Sequence, residues 1–208
     1  MLIQKMKFLS YAENRGTFFD RISQLFPKRD PRYEVIERAY NDAEDAFRGV
    51  YREDGETRYF EHVRAVALLV MVWLRVEDPN LIIASLLHDV VEDCKEWSVN
   101  RIEREYNREI ALYLEWLSKP PLEKFGGDGE ARNHFYHSRF SMAPREFFII
   151  KLSDRLHNLV TLWSCPIAKQ ERKILETKLH YLPHAEKHII LIHELEEAIA
   201  EVEASWKK

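Results

Sequence analysis

Leu81-Ile82-Ile83-Ala84-Ser85-Leu86-Leu87-His88-Asp89-Val90-Val91-Glu92-Asp93 joins an apolar run to four chemically active side chains. The first seven residues are apolar almost all round, the mark of a helix buried on every side. If the helix continues to Cys94, His88 and Glu92 fall four apart, Asp89 and Glu92 three apart, and Asp89 and Asp93 four apart. That spacing predicts one imidazole and three carboxylates on a single face. Exposing the face would expose leucines and valines with it, and burying like charges without compensation is costly. A divalent cation is the simplest compensation.

Outward from this stretch, helical periodicity dominates. It predicts helices over Met6 to Phe26, Tyr33 to Val50, His62 to Val76, Leu81 to Cys94, Val99 to Tyr106 and Ile110 to Leu117. Asn80 and Ser98 stand as caps of two of them. Further helices are expected near Ala131 to Ser141, Pro144 to Trp163, Ala168 to His180 and Pro183 to Trp206. In the last, Ile189, Ile192, Leu195, Ile199 and Val202 form a packing stripe. Lys119 to Glu130, with Pro120-Pro121 and Gly126-Gly127-Asp128-Gly129, reads as a flexible loop, either a lid or an insertion. No strand pattern or internal repeat stands out, so the fold class is all-α, a single domain.

The 208 residues, 46% hydrophobic and 12% aromatic, suffice for one large core. A net charge of −4 lacks the basic footprint of a DNA- or RNA-binding protein, but leaves room for a small phosphorylated ligand held by a local patch or a metal. The two cysteines, Cys94 and Cys165, are too few and too far apart for a disulfide scaffold. The longest apolar run, Ala65 to Leu74, is too short to span a bilayer, and Met1 to Ser10 lacks the plan of a signal peptide. The expectation is a cytoplasmic protein without a membrane partner. Self-association is left open.

Two other segments add to the charged stretch. His62 sits at a helix start after Tyr59-Phe60-Glu61. Lys151-Leu152-Ser153-Asp154-Arg155-Leu156-His157-Asn158 lies in an apolar helix, with Asp154, Asn158 and Thr161 on one stripe. His62, His88, Asp89 and Asp154 together offer two imidazoles and two carboxylates. Such a mixed nitrogen and oxygen set suits manganese, iron or zinc better than calcium, and four protein ligands leave positions open for substrate. Glu92 and Asp93 are surplus to the ligand count and suited to proton transfer. Asn158 and Thr161 can hydrogen-bond a ligand.

These motifs resemble the HD-domain phosphohydrolases, and within them the RelA/SpoT-type alarmone hydrolases, including the free-standing small hydrolases. The likeness runs from about Arg38 to Tyr181. It rests on Glu61-His62 with Val66-Ala67, on His88-Asp89-Val90-Val91-Glu92-Asp93, and on Lys151 to Leu162. The resemblance implies an HD-type domain over 31–208, including the C-terminal helices, after an N-terminal helical extension over 1–30. It implies Mn²⁺, with Fe²⁺, Zn²⁺ or Co²⁺ as alternatives, held by His62, His88, Asp89 and Asp154. It makes Glu92 and Asp93 the catalytic pair, and Arg52, Asn158, Thr161 and Tyr181 substrate contacts. The implied reaction removes the 3′-pyrophosphate of (p)ppGpp, giving GDP or GTP and pyrophosphate. No synthetase segment is expected in these residues.

The chain departs from the family around Arg52, where Glu53, Asp54 and Glu56 would repel a polyanion unless they face away. Lys119 to Phe140 matches poorly, leaving Lys119, Arg132 and Arg139 as candidate basic contacts. Plainer readings stand beside the sharper ones. Asp154 can simply pair with Lys151 or Arg155, and Arg52 can be a solvated turn residue. His184 and His188, four apart, could bind metal, but no carboxylate pattern accompanies them and solvated or packed histidines are favoured. Two functional alternatives remain: an HD phosphohydrolase for another nucleotide, and a non-catalytic nucleotide-binding or regulatory module.

Overall fold

The computed structural model describes residues 2–9 and 13–206. Its helices are α1 (Leu2–Lys5), α2 (Arg15–Leu25), α3 (Pro31–Ala46), α4 (Tyr59–Leu68), α5 (Pro79–Leu86), α6 (Val90–Asp93), α7 (Val99–Glu105), α8 (Arg108–Leu117), α9 (Gly129–Ser138), α10 (Arg145–Val160), α11 (Ile167–His180), α12 (Leu182–His188) and α13 (Ile192–Ser205). An isolated antiparallel bridge between Tyr51 and Arg58 is the only β pairing among the described residues. The all-α expectation holds. No helix among them is long and apolar enough to cross a membrane.

Local chemistry sets most boundaries. Asp30 and Asp78 cap α3 and α5, each followed by proline at the first helical position, where the missing N–H costs nothing. Asp78, not Asn80, is therefore the cap of α5. Ser98 caps α7 as expected, and Asn107 and Asp128 cap α8 and α9. The helix expected over Met6 to Phe26 is in pieces: α1, a 3-10 turn at Lys7–Leu9, and α2, with residues 10–12 outside the described ones. A reciprocal capping box starts α2 afresh, Asn14 accepting from the Thr17 amide and Thr17 Oγ1 accepting from the Asn14 amide. After α4 the helix widens into a π segment, Leu69–Trp73, closed by Leu74 N–H to the Leu69 carbonyl.

The helix expected over Pro183 to Trp206 divides into α12 and α13, because Ile189 and Leu191 adopt left-handed backbone with φ of 55° and 53°. Ile189 leaves the predicted stripe for solvent, while Leu195, Ile199 and Val202 stay buried. The segment Lys119 to Glu130 is not a bare loop. Leu122–Phe125 forms a 3-10 turn, Gly126 and Gly127 supply positive φ, and Asp128 opens α9. The ring of Phe125 lies 5.6 Å from that of Phe135.

One continuous core joins these helices, and residues of the N-terminal extension such as Leu2, Met6, Phe18 and Ile22 belong to it. Helix α10 runs through its centre, buried from Phe147 to His157, and packs against α4, α5, α8, α12 and α13. Phe147, Phe148, Ile150, Leu152 and Leu156 are at most 1% exposed, each contributing about 1.5–3 kcal/mol of burial. Helices α4, α5 and α10 contact one another pairwise. Chemistry carried by these three elements therefore meets in the interior.

Candidate metal centre

The decisive local event is a helix break. Helix α5 stops at Leu86, with Leu87 at φ −102°, ψ 6° and Asp89 at φ −103°, ψ −7°, before α6 resumes for four residues. The continuous helix expected to Cys94 does not form, so the four charged side chains do not share one face. Ending the helix leaves the carbonyls of its last turn without amide partners. His88 Nδ1 takes one of them, the Ser85 carbonyl, at 2.7 Å. That contact places the ring proton on Nδ1 and turns Nε2 inward as a lone-pair donor.

His88 Nε2 is buried with no hydrogen-bond partner. It does not point into emptiness, because His62 Nε2, His88 Nε2 and a carboxylate oxygen of Asp154 lie within 4.8 Å of one another. His62 Nε2 is 3.3 Å from Asp154 Oδ1 and 3.6 Å from Asp89 Oδ2, and His88 Nε2 is 3.1 Å from Asp89 Oδ2. Two imidazoles and an aspartate from three elements thus converge, with a second aspartate at their edge. The donor set fits a divalent transition metal of intermediate softness. Its charge balance fits as well. Burial opposes a charged imidazole, yet Asp89 and Asp154 pull the metal-free His88 up to about 9, so the carboxylates call for a cation at this point.

Each of these groups is held from behind. His62 Nδ1 and His157 Nδ1 lie 2.8 Å apart. With His62 Nε2 facing the cluster, the shared proton sits on His62 and His157 accepts. Burial and then the neighbouring charges of His62 and Arg52 hold His157 well below the usual histidine range, so it stays neutral. Lys151 Nζ donates to Asp154 Oδ2 at 2.9 Å. Burial opposes both charges, but their attraction prevails, keeping the lysine charged and the Asp154 carboxyl ionised. The plain ion-pair reading of Asp154 and the metal reading coexist, one on each carboxylate oxygen.

Glu92 and Asp93 do not join the cluster. Glu92 is exposed and its Oε2 accepts the Lys119 amide at 3.1 Å, tying α6 to the segment before α9. Asp93 Oδ2 is 3.2 Å from the Tyr59 hydroxyl. Burial, then the charges of Asp89 and Glu92, push the Asp93 carboxyl up to about 6. A carboxyl in that range exchanges protons readily near neutral pH.

On the other side of His157 opens a cavity of about 380 Å³ walled by Arg52, Tyr59, His157, Asn158, Thr161, Lys169 and Lys173 among others. The expected stripe holds: Asn158 Nδ2 donates to Asp154 Oδ1 at 2.5 Å, and Arg52 Nη2 reaches Asn158 Oδ1 at 2.9 Å and Thr161 Oγ1 at 3.1 Å. A hydrogen-bonded chain therefore links Asp154 to the cavity wall. Arg52 is not a free turn residue. The acids beside it do not face away: Glu53 and Asp54 line the same cavity, Asp54 accepting from the Glu56 and Thr57 amides of its own loop and Glu53 paired with Lys169. Tyr181 is not on this wall. Its ring is 1% exposed, beneath the Arg155 guanidinium at 3.9 Å, and Arg155 rather than Tyr181 lines the cavity. The sequence reading missed Tyr59 and His157. Their signal was spacing, since Tyr59 precedes His62 by three residues and His157 follows Asp154 by three.

The site residues on α4 to α10 fall within residues 39–188, which match the family model of the HD domain. A GTP pyrophosphokinase of Streptomyces coelicolor is 34% identical over 163 residues, 76% of this chain and 19% of that protein. The bifunctional (p)ppGpp synthase/hydrolase SpoT of Escherichia coli K12 is 30% identical over 188 residues, 88% of this chain and 26% of that protein. A solved structure described as a metazoan ortholog of SpoT that hydrolyzes ppGpp aligns with a TM-score of 0.71 at 21% identity, covering 80% of this chain and 94% of its own. At that identity the likeness speaks for the fold. The chain spans only about a fifth to a quarter of the length of these curated relatives. With a histidine-aspartate turn meeting a histidine from an earlier helix and an aspartate from a later one, all inside the matched region, this chain belongs to the HD domain family.

Proposed function

We propose that this chain is a Mn²⁺-dependent hydrolase of the 3′-pyrophosphate of (p)ppGpp, releasing GDP or GTP and pyrophosphate. One observation carries the reading: His62 Nε2, His88 Nε2 and an Asp154 oxygen meet within 4.8 Å, with His88 Nε2 buried and otherwise unpartnered. Asp89, whose Oδ2 faces both imidazoles, completes the set. A divalent cation, when bound there, supplies the Lewis acidity that hydrolysis of a phosphate ester needs.

The side chains divide the remaining work. Water adds to the phosphorus attached to the ribose 3′-oxygen, the bond to that oxygen breaks, and pyrophosphate departs. The Asp93 carboxylate, whose Oδ2 lies 3.2 Å from the Tyr59 hydroxyl, takes the proton lost by water, and Glu92 serves as its partner in returning a proton to the 3′-oxygen. Arg52, fixed by Asn158 and Thr161, offers its guanidinium to the nucleoside. Lys169, paired with Glu53, and Lys173, paired with Glu176, line the same cavity. Relatives whose names state hydrolysis of guanosine 3′,5′-bis(diphosphate), such as that of Haemophilus influenzae, 33% identical over 147 residues, support the substrate class.

The test is a panel of nucleotides incubated with the protein and Mn²⁺, with pyrophosphate and orthophosphate measured separately. Pyrophosphate from (p)ppGpp supports the reading. Orthophosphate from a nucleoside monophosphate, with (p)ppGpp untouched, would move the chain to another HD phosphohydrolase reaction. Tight nucleotide binding without turnover would make it a binding module.

A further inference from the structure

We infer that Tyr59 is the positioning residue of the metal centre: its hydroxyl fixes the Asp89 carboxylate against both imidazoles, and its ring braces Arg52 on the cavity side. The hydroxyl donates to Asp89 Oδ2 at 2.7 Å and lies 3.2 Å from Asp93 Oδ2. A phenol has one proton, and the shorter contact takes it.

Asp89 needs such a partner. It lies in the turn between α5 and α6 and makes no capping hydrogen bond with its side chain. Its Oδ2 lies 3.6 Å from His62 Nε2 and 3.1 Å from His88 Nε2, so a small rotation of its carboxylate would move it out of the set. The tyrosine is itself well anchored. Its amide donates to the Val50 carbonyl at 2.8 Å. Its ring stacks on Phe47 at 4.6 Å and 29° and meets His62 edge-on at 5.6 Å. The Arg52 guanidinium sits 5.7 Å from its centroid. One rigid side chain therefore touches Asp89, Asp93, His62 and Arg52. The inference rests on the cation reading of the cluster, and not on which nucleotide is hydrolysed.

Tyr59→Phe removes the hydroxyl and keeps the ring, and Tyr59→Leu removes both. The full chain and the two variants are titrated with Mn²⁺ alone by calorimetry, with thermal unfolding as a check on folding. Tyr59→Phe is expected to weaken Mn²⁺ binding by about 10–100-fold, the usual effect of losing a hydrogen bond behind a ligand, with its unfolding midpoint preserved and KM at saturating Mn²⁺ unchanged. Tyr59→Leu is expected to raise KM as well, because Arg52 loses its brace. Parent-like Mn²⁺ affinity in Tyr59→Phe overturns the inference and leaves the proposed reaction standing. A parent chain that binds no Mn²⁺ overturns both. Weakened Mn²⁺ binding in Tyr59→Phe, beside a parent that leaves (p)ppGpp intact, supports the inference and removes only the substrate assignment.

Discussion

Two groups of histidines occupy this protein, and they do opposite things. His62 and His88 present Nε2 atoms to Asp89 and Asp154. His184 and His188 instead stack against Phe148, their rings 4.6 and 4.5 Å from its ring. His137 and His180 stack on each other at 4.1 Å, with Glu176 3.3 Å from His137. Among the described residues only the first group, with Asp154, assembles a set of ligand atoms. Only His184 and His188 have the four-residue spacing of a metal-binding pair, while His62 and His88 come from separate elements. Two carboxylates, Asp89 and Asp154, converge on the first pair, where His137 has the single Glu176, and that convergence makes the difference between a donor set and aromatic packing.

The largest test of this contrast removes a carboxylate. Asp89→Ala is expected to abolish Mn²⁺ binding in calorimetry, while the double variant His184→Ala, His188→Ala binds Mn²⁺ as the parent does. Metal binding lost in the double variant would erase the distinction. Glu92→Ala and Asp93→Ala come next. Each is expected to keep Mn²⁺ but lose turnover by about 100-fold or more, the contribution of a positioned acid–base group. Loss of metal in step with Asp89→Ala would contradict their assignment outside the ligand set.

A smaller effect is expected at His157. His157→Ala removes the acceptor that holds His62, and Mn²⁺ affinity should fall about tenfold, whereas His180→Ala should leave it unchanged. Calorimetry on the two variants side by side decides this.

The two groups also differ in the sign of their titration. In metal-free protein His88, raised to about 9 despite its burial by Asp89 and Asp154, adds stability that is complete below its unfolded value near 6.5 and lost as pH rises through 9. His180, His184 and His188 are shifted down, chiefly by burial. Their contribution is present above 6.5 and lost as pH falls below it. Imidazole NMR of the metal-free chain should therefore find His88 protonated at pH 8 and the other three less protonated than free imidazole at pH 6.5. Adding Mn²⁺ should deprotonate His88 alone. Co-titration of all four would break the comparison.

Much of this was readable before any coordinates. Asp30-Pro31 and Asp78-Pro79 announce helix starts through the fixed φ of proline and the short acceptor before it. The apolar runs around Ile82 and Phe148 announce burial. Asn158 and Thr161 as a stripe beside Asp154 followed from helical spacing, and the grouping of His62, His88, Asp89 and Asp154 from residue type together with the resemblance of their motifs to the HD-domain phosphohydrolases. What failed was the assumption that the helix of His88 continues. Nothing in Leu86-Leu87-His88-Asp89 is a helix breaker, so the break between α5 and α6 left no local mark.

The sequence by itself determined which chemical groups are present, that they lie in or beside apolar helices, and that their charges need a counter-ion, because composition and periodicity are local quantities. Only the tertiary structure decided which atoms meet. The turn at His88 frees the Ser85 carbonyl, the packing of α4 against α10 brings His157 to His62, and the start of α4 brings Tyr59 to Asp89. Those contacts join residues as far as 95 positions apart. Their geometry is set by how the helices close on one core, which no short window of sequence contains.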